Sequence, residues 1–132
     1  MNPALFIAVN LKEIIFSEMN RHDEALEAYE KALMIDPDFA GAWYNKGLAL
    51  GELNRTEASI QTFKKVLEID KSYTGAWYNM ACLYSRSNLR AQSLTNLRTA
   101  IAYNPSCKET ARGDEDFRNL WDDAEFILLT KE

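Results

Sequence analysis

The sequence predicts an all-α fold, an α-α superhelix (solenoid) of three helical hairpins closed by a C-terminal helical cap. Two observations carry this expectation. Gly41-Ala42-Trp43-Tyr44-Asn45 recurs as Gly75-Ala76-Trp77-Tyr78-Asn79, 34 residues later. The same offset then holds along most of the chain: Asn20, Asn54 and Asn88 fall in step, as do Tyr29, Phe63 and Leu97, and Ala32, Val66 and Ala100. A fixed period of this length marks stacked units, each burying its apolar face only against its neighbours. Residues 1–132 read as a single array, with repeat 1 at about 6–38, repeat 2 at about 39–72, repeat 3 at about 73–106 and capping helices at about 107–130.

Six helices are expected in order, near 3–19, 22–35, 39–53, 56–69, 73–87 and 90–103. The first is atypical. Leu5, Phe6, Val9, Leu11, Ile14, Ile15, Phe16 and Met19 spread around most of its circumference, and such a helix expects cover on nearly all sides. Either it packs at a different angle or against further repeats, or residues 3–19 pair with another copy in a homodimer. In 39–53, Trp43, Leu50 and Leu53 recur at helical spacing, with Gly47 and Ala49 as small positions between them. In 56–69 the stripe is Ile60, Phe63, Val66, Leu67 and Ile69. Helices this short are unstable alone, and the brief connections make them fold back as antiparallel hairpins.

The boundaries have their own chemistry. Asn20, Asn54 and Asn88 stand where each first helix stops, and asparagine tolerates the left-handed backbone such a stop needs. Pro37 and Pro105 end the preceding helix by lacking a donor. Asp38, Ser72 and Ser106 are the expected N-caps of the helices that follow. After Pro105 the period lapses. A short helix at Lys108–Arg112 ends at Gly113, and the acidic clusters Asp114-Glu115-Asp116 and Asp122-Asp123 precede Phe117 and Phe126, as acids at helix starts do. The segment reads as a cap on the last hairpin.

These residues resemble the tetratricopeptide repeat (TPR). Trp43 and Gly47, then Ser59, Phe63 and Val66, stand at its signature positions, with Lys46, Leu50 and Lys71 as departures. Trp77, Met80, Ala81, Tyr84, Ser93, Leu97, Ala100 and Pro105 repeat the pattern. In the first unit Ala25, Tyr29, Ala32 and Pro37 match while the first helix does not. The resemblance implies that Gly47 and Ala81 lie where the paired helices cross, facing Ser59 and Ser93, with Trp43 and Trp77 filling the space beside the crossing. It also implies a concave groove lined by the first helix of each hairpin.

Catalysis has no support in the sequence. His22 is the single histidine, expected in an exposed turn, and no nucleophile has a base at a recognisable spacing. No glycine-rich phosphate loop or metal-ligand spacing occurs, so no cofactor and no metal are expected. Net charge is −5 without clustered Lys or Arg, which argues against nucleic acid. The apolar run at Ala4–Val9 is interrupted by Asn10, Lys12 and Glu13, too soon for a membrane span, and Met1-Asn2-Pro3 lacks the basic start of a signal peptide. Cys82 and Cys107 read as unpaired thiols suited to a reducing cytoplasm.

The expected role is therefore a scaffold that binds another protein, as a peptide or an amphipathic helix, in the groove. The resemblance places Asn10, Ile14, Tyr44, Leu48, Glu52, Tyr78, Cys82 and Arg86 on that surface. It also speaks against one activity of the family. Members that grip the acidic tails of heat-shock chaperones need a cationic clamp, and this chain offers Asn10, Ile14, Asn45, Gly75 and Asn79 there.

Overall fold

In the computed structural model of the chain, the described residues are 3, 4, 8 and 21–132. The expected helix at 3–19 lies almost wholly outside them. Among the described residues every regular element is helical. They form two compact units, 1–71 and 72–132.

The first unit holds α1 (His22–Ile35), α2 (Ala40–Glu52) and α3 (Thr56–Ile69). The α2–α3 turn is closed by Asn54, whose φ of 59° is left-handed. The Arg55 amide donates to the Leu50 carbonyl at 2.9 Å and the Asn54 amide to the Gly51 carbonyl at 3.1 Å. That pair of bonds is a Schellman motif, which satisfies the last carbonyls of α2 and turns the chain back. The folded-back helix then approaches very closely. The Ser59 hydroxyl, fully buried, donates to the Gly47 carbonyl at 2.6 Å. A Cβ on Gly47 would meet the Phe63 ring at 2.7 Å. Phe63 is 1% exposed and cannot swing away.

Trp43 does more than the expected filling beside the crossing. It packs with Phe39 against Ala32, Leu33 and Ala42, and its indole N–H donates to the Pro37 carbonyl at 2.8 Å. It thus fastens the α1–α2 turn instead of only filling the α2–α3 crossing, while Lys46 and Lys65 lie over its ring. The N-caps also differ from expectation. Phe39 and Tyr73, not Asp38 and Ser72, precede α2 and the first helix of the second unit, and neither makes a side-chain cap bond. Asp38 and Ser72 each stand one residue before that position. The polar work in the first turn falls to Asp36, whose Oδ1 accepts the Asp38 amide at 3.2 Å.

The second unit holds α4 (Thr74–Arg86), α5 (Arg90–Tyr103), α6 (Cys107–Gly113), a 3-10 turn (Glu115–Leu120) and α7 (Ala124–Thr130). Asn88, at φ 61°, closes the α4–α5 turn with the same two bonds, Leu89 amide to Tyr84 carbonyl and Asn88 amide to Ser85 carbonyl. The buried Ser93 hydroxyl donates to the Ala81 carbonyl at 2.8 Å. Here a methyl is tolerated at the crossing because Leu97 replaces the ring of Phe63. Ser106 does occupy the N-cap of α6, but its hydroxyl donates to Asn104 Oδ1 instead of capping.

The C-terminal elements complete this unit's core. Phe117, Leu120 and Phe126 are almost fully buried among Leu94, Leu97, Ile101 and Ala111. Asp114 caps the 3-10 turn through the Asp116 amide, and Asp123 caps α7 through the amides of Glu125 and Phe126. Arg90 of α5 reaches Asp123 at 2.6 Å and Glu125 at 2.9 Å, and Arg98 reaches Glu125 at 3.0 Å.

Gly47→Ala brings a helix-propensity gain of about 1 kcal/mol against an overpacking cost of about 1–3 kcal/mol, so denaturation should read a net loss. Adding Phe63→Leu, the natural pairing of the next repeat, should give a favourable coupling of about 0.5 kcal/mol or more in a double-mutant cycle. Gly113→Ala, with nothing within 4 Å of the added atom, should show no such loss. A Gly47→Ala variant as stable as the parent would contradict the close crossing.

The Arg90 guanidinium, helped by the Phe126 and Glu125 amides, holds the Asp123 carboxyl down at about 2. A carboxyl lowered in the folded state stabilises above its unfolded value, near 4, and loses that contribution as pH falls through the folded one. Carboxyl NMR should therefore show Asp123 titrating near 2, with α7 loosening over that window. Arg90→Gln should return it toward 4; an unchanged titration would discount the pair.

Candidate functional site

The expected groove residues divide by unit. Asn10 and Ile14 lie outside the described residues. In the first unit Tyr44, Leu48 and Glu52 follow one another along α2 at helical spacing, so they share one face. Tyr44 is half-buried, its ring 5.7 Å from that of Phe63. Part of this residue's surface is therefore spent on its own hairpin. Leu48 is 36% exposed and Glu52 is exposed. The face thus presents an apolar side chain and a carboxylate beside a supported aromatic ring.

In the second unit the equivalent face of α4 is occupied by the chain itself. The Tyr78 hydroxyl donates to Asp114 Oδ2 at 2.7 Å, and the Phe117 ring stands edge-on to Tyr78 at 5.7 Å. Cys82 is 4% exposed, with its sulfur 3.9 Å from the same Asp114 oxygen. Ser85 donates to Asn119 Oδ1 at 2.7 Å, Asn119 donates back to the Ser85 carbonyl, and Arg86 lies 3.8 Å from Asp116. Tyr78, Cys82 and Arg86 are brought together, but beneath residues 114–119. Truncating a buried phenylalanine costs about 3–5 kcal/mol, so a segment anchored by Phe117 and followed by buried Phe126 is an integral part of the unit.

The occupying residues Asp114, Phe117 and Asn119 were absent from the expected site. Their signal was present in the sequence, since an acid-acid-acid-Phe run follows Gly113, past the lapse of the period at Pro105. What periodicity lacked was any register for a segment that does not repeat.

The electrostatics follow the cover. Burial pushes the Tyr78 hydroxyl well above its ordinary value, and the bond to Asp114 adds to this. Burial also raises the Cys82 thiol, with the Asp114 charge second, and raises Cys107. Both thiols are held protonated and buried, the opposite of an activated nucleophile. Cys82, Asp114 and Asp116 form a grouping with donor atoms within 4.8 Å of one another. Asp114 already accepts from Tyr78 and from the Asp116 amide. Hydrogen bonding accounts for the cluster. His22, expected to be exposed, opens α1 half-buried, with Nδ1 shielded and no hydrogen-bond partner for it among the described residues. Among the described residues no helix is long and apolar enough to cross a membrane.

Comparison with known proteins gives the fold a family. A profile described as TPR repeat matches residues 15–54, and one described as tetratricopeptide repeat matches residues 40–73 and 74–107. No curated protein matches the chain. The crystal structure of MamA superposes with a TM-score of 0.78 at 16% identity, covering 98% of this chain and 77% of that one. The crystal structure of YrrB, a TPR protein with an unusual peptide-binding site, superposes with a TM-score of 0.66 at 22% identity, covering 70% of this chain. The matched portion is 48% of YrrB, about half its length. At these identities the two structures speak for the fold, and the repeat profiles span more than half of the sequence. The chain belongs to the tetratricopeptide repeat family.

Proposed function

We propose that this chain is a non-catalytic protein-interaction module that takes a peptide or helix of another protein on the α2 face of its first unit. The observation that carries the reading is the contrast between two equivalent positions. Cys82 on α4 is buried under the chain's own C-terminal segment, whereas Leu48 on α2 is exposed. An aliphatic side chain offered beside a supported tyrosine is the kind of anchor that extended peptides and amphipathic helices use. The family supplies the prior, as repeats of this kind bind proteins, and YrrB's printed peptide-binding site is a precedent by analogy. Two buried, protonated thiols suit a reducing compartment, and we place the chain in the cytoplasm with neither nucleic acid nor membrane as partner.

A second reading rests on residues 3–19, whose apolar side chains surround the helix predicted there. On that reading the chief partner is another copy of the chain. Light scattering separates the two, because a monomer at high concentration sinks self-association.

Leu48→Asp is an exposed change that leaves the core intact. In affinity capture from native lysate it should remove a protein that the parent chain retains. Retention unchanged by Leu48→Asp would move the site off α2.

A further inference from the structure

The second unit carries a worked example of what binds the expected groove face of a first helix in this chain. Residues 114–119 lie on α4 through several side-chain contacts. Asp114 accepts from the Tyr78 hydroxyl, Phe117 meets the Tyr78 ring, Asp116 meets Arg86, and Asn119 meets Ser85. The period of 34 residues transfers each position to α2: Tyr78 becomes Tyr44, Ser85 becomes Gly51, and Arg86 becomes Glu52. The aromatic platform is kept. The hydroxyl that engages Asn119 is deleted. The charge is reversed, and Glu52 has no cationic partner among the described residues. Cys82, beside the Asp114 carboxylate, becomes Leu48, which favours an apolar group there.

Resting on the reading of α2 as the contact face, we propose that its partner segment is a short helical turn with an aromatic residue and an adjacent Lys or Arg. The aromatic side chain lies against Tyr44 and Leu48, and the cation pairs with Glu52. The segment is a counterpart of residues 114–119 with Glu115 and Asp116 exchanged for bases, while the acid that accepts from the tyrosine hydroxyl is kept. An acidic segment like the chain's own would set its carboxylates against Glu52, and like charges at that separation repel.

Two labelled peptides test this on the full chain by fluorescence anisotropy: residues 113–121 as they stand, and the same stretch with Glu115→Lys and Asp116→Lys. The lysine peptide should bind about tenfold more tightly, the difference between an exposed ion pair and its like-charge reversal. A Phe117→Ala copy of it should lose binding. Glu52→Arg in the chain should invert the preference, and Leu48→Asp should abolish binding of the lysine peptide. Equal binding of the two peptides, binding by neither, a preference unmoved by Glu52→Arg, or lysine-peptide binding that survives Leu48→Asp would each overturn the proposal. Lysate capture that depends on Leu48 while the peptides show no charge preference would leave the α2 reading standing and remove only this inference.

Discussion

Two paired helices pressed close enough for a side-chain hydroxyl to reach a main-chain carbonyl are the constraint behind the rest of this fold. Ser59 to Gly47 and Ser93 to Ala81 are fully buried bonds of 2.6 and 2.8 Å. Each serine would cost about 1–3 kcal/mol if buried without a partner, so the crossing cannot loosen without leaving an unmet donor. Close approach in turn dictates volume. Gly47 faces Phe63, and Ala81 faces Leu97, so the two repeats divide a similar space in different ways. Larger atoms on one helix require smaller ones on the other, which is jigsaw packing at its simplest. The left-handed asparagines at 54 and 88 serve the same end, since only a sharp reversal sets the second helix down at this distance.

What was legible in the sequence was whatever repeats. The helices at 22–35, 56–69 and 90–103 were placed to the residue because Asn-turn, apolar stripe and Asp/Asn stop recur together. The crossing serines were legible for the same reason. Errors came where one residue decides. Asp38 and Ser72 have the right chemistry for caps, but the helices begin one residue later, and Asp36 supplies the turn bond instead. Trp43 was placed by its volume, and what periodicity did not show is that its indole N–H also holds the Pro37 carbonyl. At the surface the same limit was sharper. A family groove position names where a side chain points, and cannot tell that Asp114 and Phe117 have come to sit on it.

The acidic tail illustrates how one composition serves two roles. Asp114 and Asp123 are each one residue before a helical turn and accept amides there. Each also accepts from across the unit, Asp114 from Tyr78 and Asp123 from Arg90. Charge at a helix start is stabilising on its own account, and the second bond converts a local stop into a tertiary tie. This is why the tail docks as an ordered element although its two α-helices have seven residues each, far too few to persist alone.

The contrast between α4 and α2 bears on the proposed contact face. The segment on α4 is tethered, so it docks at a high effective concentration and can rely on modest polar contacts such as Ser85 to Asn119. A separate partner on α2, as proposed, would first have to offset about 4–15 kcal/mol of lost translational and rotational freedom. Exchanging Cys82 and Ser85 for Leu48 and Gly51 moves the face in the direction that cost demands. One hydroxyl needing an exact mate disappears, and a larger apolar side chain stands in the open. On the proposal that α2 is the contact face, Glu52 in place of Arg86 would add discrimination, because an acidic segment would set like charge against it.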